Sequence, residues 1–325
     1  MRSRLKTLFI AFAFAVSAIF FCLLSRSFND AGTPAVLQLV APHVPEKATG
    51  SLRVASMNCK NYLSTNRYTA DGKYKRRWAK PLAEREAMWQ LFAAIRPDIV
   101  ALQEIGDETH LAQLAGDLSR EAGLEFPYRV CLEARDSSRR IGIISSVPFE
   151  TVFRCPETEL MSRGLLGVEV AVGEHRLRVF TLHLKSKISR SEADPECAAE
   201  RLAEARRAAE RIAESGGPLC VLVGDFNDAP ASEAVICLTQ EGTLKRLDLK
   251  DSRGDGWTYR YFKTNEKDTF DHFLISPELA AFKVSGSGKV ADEALARRVL
   301  SDGTIVYASD HRMIFADFSF PPNAD

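Results

Sequence analysis

The chain has no surplus of either charge. Its 325 residues hold 43 Lys+Arg and 43 Asp+Glu, so the formal net charge is zero. Composition therefore gives no sign of a broadly basic surface, although a local patch would serve nucleic acid equally well. No CxxC pair and no Cys/His ligand spacing occurs among the seven cysteines, which argues against a structural zinc site. Internal repeats and low-complexity blocks are also missing, which excludes solenoids and polar arrays. What is present, 46% hydrophobic and 26% charged residues, suits one large globular domain or two small ones.

Long apolar runs are confined to one place. Arg2, Arg4 and Lys6 precede an uncharged stretch from Leu8 to Leu24 that contains Cys22. A positive start followed by an apolar core is the pattern of an export signal. The stretch is long for a signal core and short for a spanning helix, so residues 1–27 are expected to be a signal peptide or an uncleaved membrane anchor. Either way the protein is expected to be exported: periplasmic, secreted or held on the outer side of the inner membrane. Residues 28–50, with Pro34, Pro42 and Pro45, read as a linker. The folded domain is expected over 51–320, with a tail at 321–325.

Within that domain strand and helix signals mix. Leu52, Val54 and Ser56 alternate with Arg53, Ala55 and Met57 up to Asn58. Met88, Leu91, Phe92 and Ile95 recur at helical spacing until Arg96-Pro97-Asp98. Ile99 to Leu102 is a short apolar strand ending at Gln103-Glu104. Strands are expected over 141–145 and 150–154, and a hairpin over 165–172 and 176–184 about Gly173-Glu174. Asp194-Pro195-Glu196 is a helix start, and Leu202, Ala205, Ala209 and Ile212 form its stripe up to Gly216-Gly217. Leu219 to Val223 is almost continuously apolar, as a strand covered on both faces would be. Two packed sheets flanked by helices follow. Of the remaining cysteines, Cys59 and Cys220 are expected in buried strands; Cys131 with Cys155 is a disulfide candidate that sequence alone does not pair.

Polar residues sit where such strands end. Gln103-Glu104, Thr181-Leu182-His183-Leu184, Gly224-Asp225-Phe226-Asn227, Phe270-Asp271-His272 and Ser309-Asp310-His311 all border apolar runs. Burying carboxylates and imidazoles without partners is costly, so these strand ends are expected to converge on one acidic, histidine-containing site. That is equipment for metal-assisted attack on a phosphate. A Mg²⁺-type ion takes carboxylate or amide oxygens plus waters, which makes Glu104, Asp310 and Asn58 the candidate metal set. Asp225 and Asn227 are placed to hold a water. His311 is expected to meet the phosphate with Asp271 orienting it, and His183 shares its strand face with Val179 and Thr181. His272 should turn away from Asp271 by alternation. His43, His110 and His175 lie in no motif.

Asn58, Gln103-Glu104, His183 in HLKSK, GDFND, FDHFLIS and SDH occur in the order found in the endonuclease/exonuclease/phosphatase superfamily, and the chain resembles its deoxyribonuclease I-like members over about residues 51–320. Each motif alone is weak; the ordered set is specific. The resemblance implies an α/β (α+β) fold, a four-layer α/β/β/α sandwich of two mixed sheets. It also implies a phosphoesterase site for Mg²⁺, or Mn²⁺ or Ca²⁺. By it Glu104, Asp310 and Asn58 would serve the metal, Asp225 with Asn227 the water, and His311, Asp271 and His183 the scissile phosphate.

The substrate is less legible. The 5-phosphatases carry a Trp-Cys-Asp-Arg type motif where this chain reads Asp268-Thr269-Phe270-Asp271-His272, which argues against an inositol phosphatase. No long apolar hairpin favours a sphingomyelinase. Trp257-Thr258-Tyr259-Arg260-Tyr261 resembles a segment of exported bacterial nuclease-like members; its aromatics are expected either to stack a base or to pack across strands. Lys185, Lys187 and Arg163 are candidate phosphate contacts. Lys73, Lys75, Arg76, Arg77 and Lys80 form a basic loop between the first strand and the first helix that could also bind a polyanionic backbone. Nucleic acid is the expected substrate. A lipid head-group or small-molecule phosphodiesterase or phosphatase is the alternative, with a catalytically inactive binding module behind both.

Overall fold

The computed structural model describes residues 43–320 except 48, 69–71, 158, 190 and 241–242. The expected signal or anchor at 1–27, most of the 28–50 linker and the 321–325 tail lie outside the described residues. No helix among the described residues is long and apolar enough to cross a membrane. Residues 43–47, the end of the expected linker, are tied to the body: the His43 N–H donates to Asp292 and the Lys47 ammonium pairs with Asp98 at 2.9 Å.

Twelve strands build two sheets: β1 Ser51–Tyr62, β2 Ile99–Ile105, β3 Tyr128–Cys131, β4 Arg140–Ser145, β5 Phe149–Cys155, β6 Leu165–Val172, β7 His175–His183, β8 Cys220–Asp225, β9 Lys245–Arg246, β10 Asp271–Ile275, β11 Lys289–Val290 and β12 Ile314–Ser319. The first sheet runs β11-β12-β1-β2-β4-β3 and the second β9-β10-β8-β7-β6-β5. Both are mixed: β1 is parallel to β2 and antiparallel to β12, and β8 is parallel to β7 and antiparallel to β10.

Four helices flank them: α1 Leu82–Ile95, α2 Glu108–Ala122, α3 Ala198–Ser215 and α4 Glu233–Thr239. Alternation divides the strand side chains between layers. Val54, Ala101, Ile143, Val179, Val221 and Phe273 meet between the sheets. Met57, Val100 and Phe315 turn outward against Met88, Leu91 and Phe92 of α1 and Leu111 and Leu114 of α2. Phe180, Leu182 and Leu222 turn outward against Ala205 and Ala208 of α3 and Val235 of α4. The result is the expected α/β/β/α sandwich.

Some local outcomes differ from the sequence reading. α2 was not among the expected helices. Asp107 caps it by accepting from the His110 N–H, and the His110 ring accepts from the Asp107 N–H in return. The basic "loop" of 73–80 is largely strand: Thr65–Tyr68 pairs with Tyr74–Trp78 as a two-stranded ribbon. Lys80 is buried, paired with Glu84. Cys131 and Cys155 are free thiols.

Candidate active site

Register does most of the assembly. Asp225 on β8 lies directly opposite Asp271 on β10 and His183 on β7. Partners in register share a face, so the three side chains form one row on the inner face of the second sheet. Gly224 makes the row possible. Its φ is +149°, and a Cβ there would lie 2.1 Å from the Leu182 carbonyl oxygen of β7. Only glycine lets β8 come that close just before the aspartate.

The first sheet supplies the opposing side through irregular backbone. Asn58 pairs with Gln103, but the β1/β2 register slips between Asn58 and Tyr62. Lys60, Asn61 and Glu104 all have positive φ, at 46°, 54° and 55°. Non-glycine residues in that region often mark functional sites. The turn at Glu104 breaks alternation and brings its carboxylate to the cleft, where Oε2 accepts from the Asn61 N–H at 2.8 Å. Gln103, next in line, is fully buried and donates to Ser56 and Thr181 at 3.1 and 2.9 Å, joining the two sheets beneath the site.

Asp225 is almost wholly buried. Its Oδ2 accepts from the Asn58 amide at 2.9 Å, and its Oδ1 accepts from the Asn227 N–H at 2.8 Å. His183 Nε2 and His311 Nε2 lie 3.4 and 3.7 Å from the same Oδ2. The other face of His311 is fixed, with Nδ1 2.8 Å from Asp271 Oδ2. Asn227 is held by its own amide on the Leu184 carbonyl at 2.9 Å. Ser309, which the sequence reading did not single out, donates to the Asn58 carbonyl at 2.8 Å and accepts from the His311 N–H at 3.1 Å. Its sequence signal is its place at the head of the Ser309-Asp310-His311 motif.

Burial pushes the Asp225 carboxyl up to about 7, with the Asp271 charge adding and His311, Asn58 and Asn227 opposing. Burial alone would lower His311. The carboxylates of Asp271 and Asp225 outweigh it and raise the imidazole to about 10. His183 moves the other way: burial, with the charges of Arg163, His311 and Arg139, holds it well below its ordinary value. The site thus carries one imidazolium and one neutral imidazole at pH 7.

These groups line a cleft of about 770 Å³ with Glu104, Asp310, Asn227, Arg163, Lys185 and Lys187. All eleven residues singled out from sequence therefore gather here, Asn58 and Asp271 from just behind the surface. Two have a different emphasis from that expected. The Lys185 ammonium donates to the Ile188 carbonyl at 2.8 Å and lies 3.0 Å from Cys197 Sγ, so it secures its own loop. The Asn58 amide serves Asp225, while its Oδ1 accepts from the Lys60 N–H. His272 turns away as alternation required, onto the Asp228 carbonyl at 2.8 Å.

Further cleft residues went unread. Arg139 donates Nε to Asn61 Oδ1 at 2.9 Å and Arg135 donates to Ser162. Their signal is the run Arg135-Asp136-Ser137-Ser138-Arg139-Arg140 leading into β4. Tyr259, one of the aromatics of 257–261 read from sequence as stacking a base or packing across strands, lines the cleft, stacked on Phe270 and 4.9 Å from the His311 ring. Trp257 and Arg260 pack instead, under Arg312 and against Glu293.

Two donor sets invite a metal. Asp225, Asp271 and His311 offer atoms within 4.8 Å of one another, but the His311–Asp271 hydrogen bond at 2.8 Å accounts for that closeness. Glu104 and Asp310 fit better. Both are carboxylates on the cleft; among the described residues Glu104 keeps one oxygen without a protein donor, and Asp310 has side-chain contacts with Ser309 at 3.3 Å and Lys60 at 3.8 Å. Hard oxygen donors with vacant lone pairs suit a divalent cation of the Mg²⁺ kind.

The profile of the Endonuclease/Exonuclease/phosphatase family matches residues 78–311, well over half of the chain. No curated protein matches it. Among solved structures, D. rerio TDP2 complexed with a single-strand DNA product is 19% identical, with a TM-score of 0.58 over 83% of this chain and 99% of that one. A beta toxin mutant from Staphylococcus aureus with bound magnesium ions is 16% identical, with a TM-score of 0.58 over 83% and 100%. Sphingomyelinase C from Streptomyces griseocarneus is 18% identical, with a TM-score of 0.56 over 83% and 99%. At such identities the likeness is one of fold.

Proposed function

We propose that this chain, which belongs to the Endonuclease/Exonuclease/phosphatase family, is an exported nuclease that hydrolyses phosphodiester bonds with a divalent metal, Mg²⁺ by preference over Mn²⁺ or Ca²⁺. The observation that carries the hydrolytic reading is the row Asp271–Asp225–His183 with His311 set between two carboxylates. Glu104 and Asp310, with Asn58 behind them, would hold the cation. A metal bound there neutralises phosphoryl charge and assists the leaving oxygen.

The chain's own residues divide the remaining work. Asp225 is the base: its carboxylate is held by Asn58 and Asn227 and titrates near neutrality. The water oxygen forms the new P–O bond as its proton passes to Asp225, and the ester P–O bond opposite breaks. His311, already charged, donates a hydrogen bond to the phosphoryl oxygens, and Asp271 keeps it charged and aimed. Neutral His183 adds a second donor.

The nucleic-acid reading draws on the cleft wall. Arg135, Arg139, Arg163 and Lys187 stand on it, which suits a substrate with more phosphates than the one being cut. A lipid head-group diester is the second reading, favoured by the Tyr259–Phe270 aromatic face; Lys187 already lies 5.4 Å over Phe270, which disfavours a cationic head group. Export, with cleavage or retention of an anchor, rests on residues 1–27. The test is a substrate panel. Bis-p-nitrophenyl phosphate, an oligonucleotide and sphingomyelin are assayed with Mg²⁺ and with chelator, on the native protein and on Asp225→Asn. A metal-dependent oligonucleotide activity that falls about 10²–10⁴-fold in the variant is expected. Turnover of sphingomyelin alone would overturn the nuclease reading, and a variant at full rate would remove Asp225 as base.

A further inference from the structure

The ribbon of Thr65–Tyr68 and Tyr74–Trp78 plays no part in the site described above. It is not anchored by burial: Tyr68 is 72% exposed, Tyr74 50% and Trp78 46%. Large aromatics left in water on a small ribbon are unusual unless something covers them. Cations accompany them. Arg76 and Arg77 are exposed and have no acidic partner among the described residues, and the Lys75 ammonium lies 5.4 Å over the Trp78 ring.

The root of the ribbon is the cleft edge. Arg67 donates Nη2 to the Asn61 and Leu63 carbonyls at 2.9 and 2.8 Å and Nε to the Trp78 carbonyl at 3.1 Å, so it ties both strands to that point. Asn61 itself lines the cleft and accepts from Arg139. A polyanion leaving the cleft past Arg139 therefore meets Asn61 and then the ribbon.

We propose that this ribbon is an exosite for single-stranded nucleic acid, with Tyr68, Tyr74 and Trp78 stacking bases and Arg76 and Arg77 meeting backbone phosphates. The proposal names the substrate form for the nuclease reading and rests on that reading only for turnover, not for binding. Charge complementarity and ring geometry both favour this occupant. Tyr68 and Tyr74 are tilted at 59° with centroids 5.3 Å apart, which leaves ring faces open rather than stacked on each other. A bilayer is the competing partner for aromatic and basic residues. The sequence between the two strands, Thr69-Ala70-Asp71-Gly72, disfavours it, having no bulky apolar residue and one acid.

The experiment measures fluorescence anisotropy of a labelled oligothymidylate with the full chain in chelator, so that nothing is cut, over a range of salt. Arg76→Gln/Arg77→Gln is expected to flatten the slope of log K against log salt by about 1.4, at about 0.7 per cation lost on a single strand. Tyr68→Ala/Tyr74→Ala and Trp78→Ala are each expected to weaken binding by about five-fold or more. Hydrolysis of bis-p-nitrophenyl phosphate in Mg²⁺ should be unchanged in all three, which also reports that they fold. Unaltered oligonucleotide affinity and slope would overturn the exosite. So would binding to phosphatidylserine vesicles that the same variants abolish while oligonucleotide binding stays intact. If the native protein binds the oligonucleotide through the ribbon yet cleaves neither substrate, the exosite stands and the hydrolase reading falls.

Discussion

His311 gains its charge from its neighbours rather than from solvent. Its Nδ1 rests on Asp271 and its Nε2 faces Asp225, and together these carboxylates overcome burial. Asp271→Asn removes the largest raising influence, so the imidazolium should be lost at a lower pH than in the native protein. The alkaline limb of the kcat/KM profile should then move toward acid, and the acid limb, set by Asp225, should move the same way, because the Asp271 charge also raises that carboxyl. An unmoved alkaline limb would mean that His311 does not act as the cation. The residues of this relay were readable because each stands at an abrupt change from apolar to polar. Arg139 and Ser309 were not, since an arginine in a basic turn and a serine beside an aspartate look the same whether they serve a site or solvent. Only the fold brings Asn61 to Arg139 and the Asn58 carbonyl to Ser309.

Strands deliver these residues, and their delivery depends on a few backbone exceptions. Gly224→Ala would set a Cβ 2.1 Å from the Leu182 carbonyl in a φ region that side chains avoid. β8 must then move off β7, carrying Asp225 away from His183. A melting midpoint lower by about 5 °C or more and a loss of kcat with both substrate types are expected. An alanine variant with native melting and rate would show that the close approach is dispensable. Alternation and helical spacing in the sequence sufficed for β1, α1, the β6–β7 hairpin and β8, whose burial is decided by neighbours close in sequence. α2 escaped because its start is signalled by Asp107 with a histidine, rather than a glutamate or glutamine, closing the capping box. The ribbon escaped because its strands bury nothing, leaving no apolar period to read. The bend at Glu104 is likewise silent in sequence: nothing in Leu-Gln-Glu-Ile announces a positive φ.

Across the whole molecule, stability and the site draw on different parts. Three apolar layers hold the sandwich, and one buried ion pair fastens their edge. Arg53 on β1 meets Asp317 on β12 at 2.6 and 2.8 Å, and also donates to the Ile95 and Pro45 carbonyls at the end of α1 and on the incoming chain. Asp317→Ala strands a buried guanidinium and should cost roughly 3–5 kcal/mol, read by denaturant unfolding, while leaving the cleft chemistry of the folded fraction intact. The cleft has the opposite character, since Glu104 and Asp310 gather negative charge that no core contact needs. Removing metal should therefore abolish hydrolysis without unfolding the chain. Adding Mg²⁺ should raise the melting midpoint, by the equivalent of about 2.7 kcal/mol at a hundred times its dissociation constant. Glu104→Gln, which keeps the shape but halves the charge of that pair, should lose most of the rise and little of the metal-free stability. A native midpoint indifferent to both Mg²⁺ and Mn²⁺, measured at concentrations that support turnover, would exclude Glu104 and Asp310 as the ligand set and direct attention to the Asp225–Asp271–His311 cluster instead.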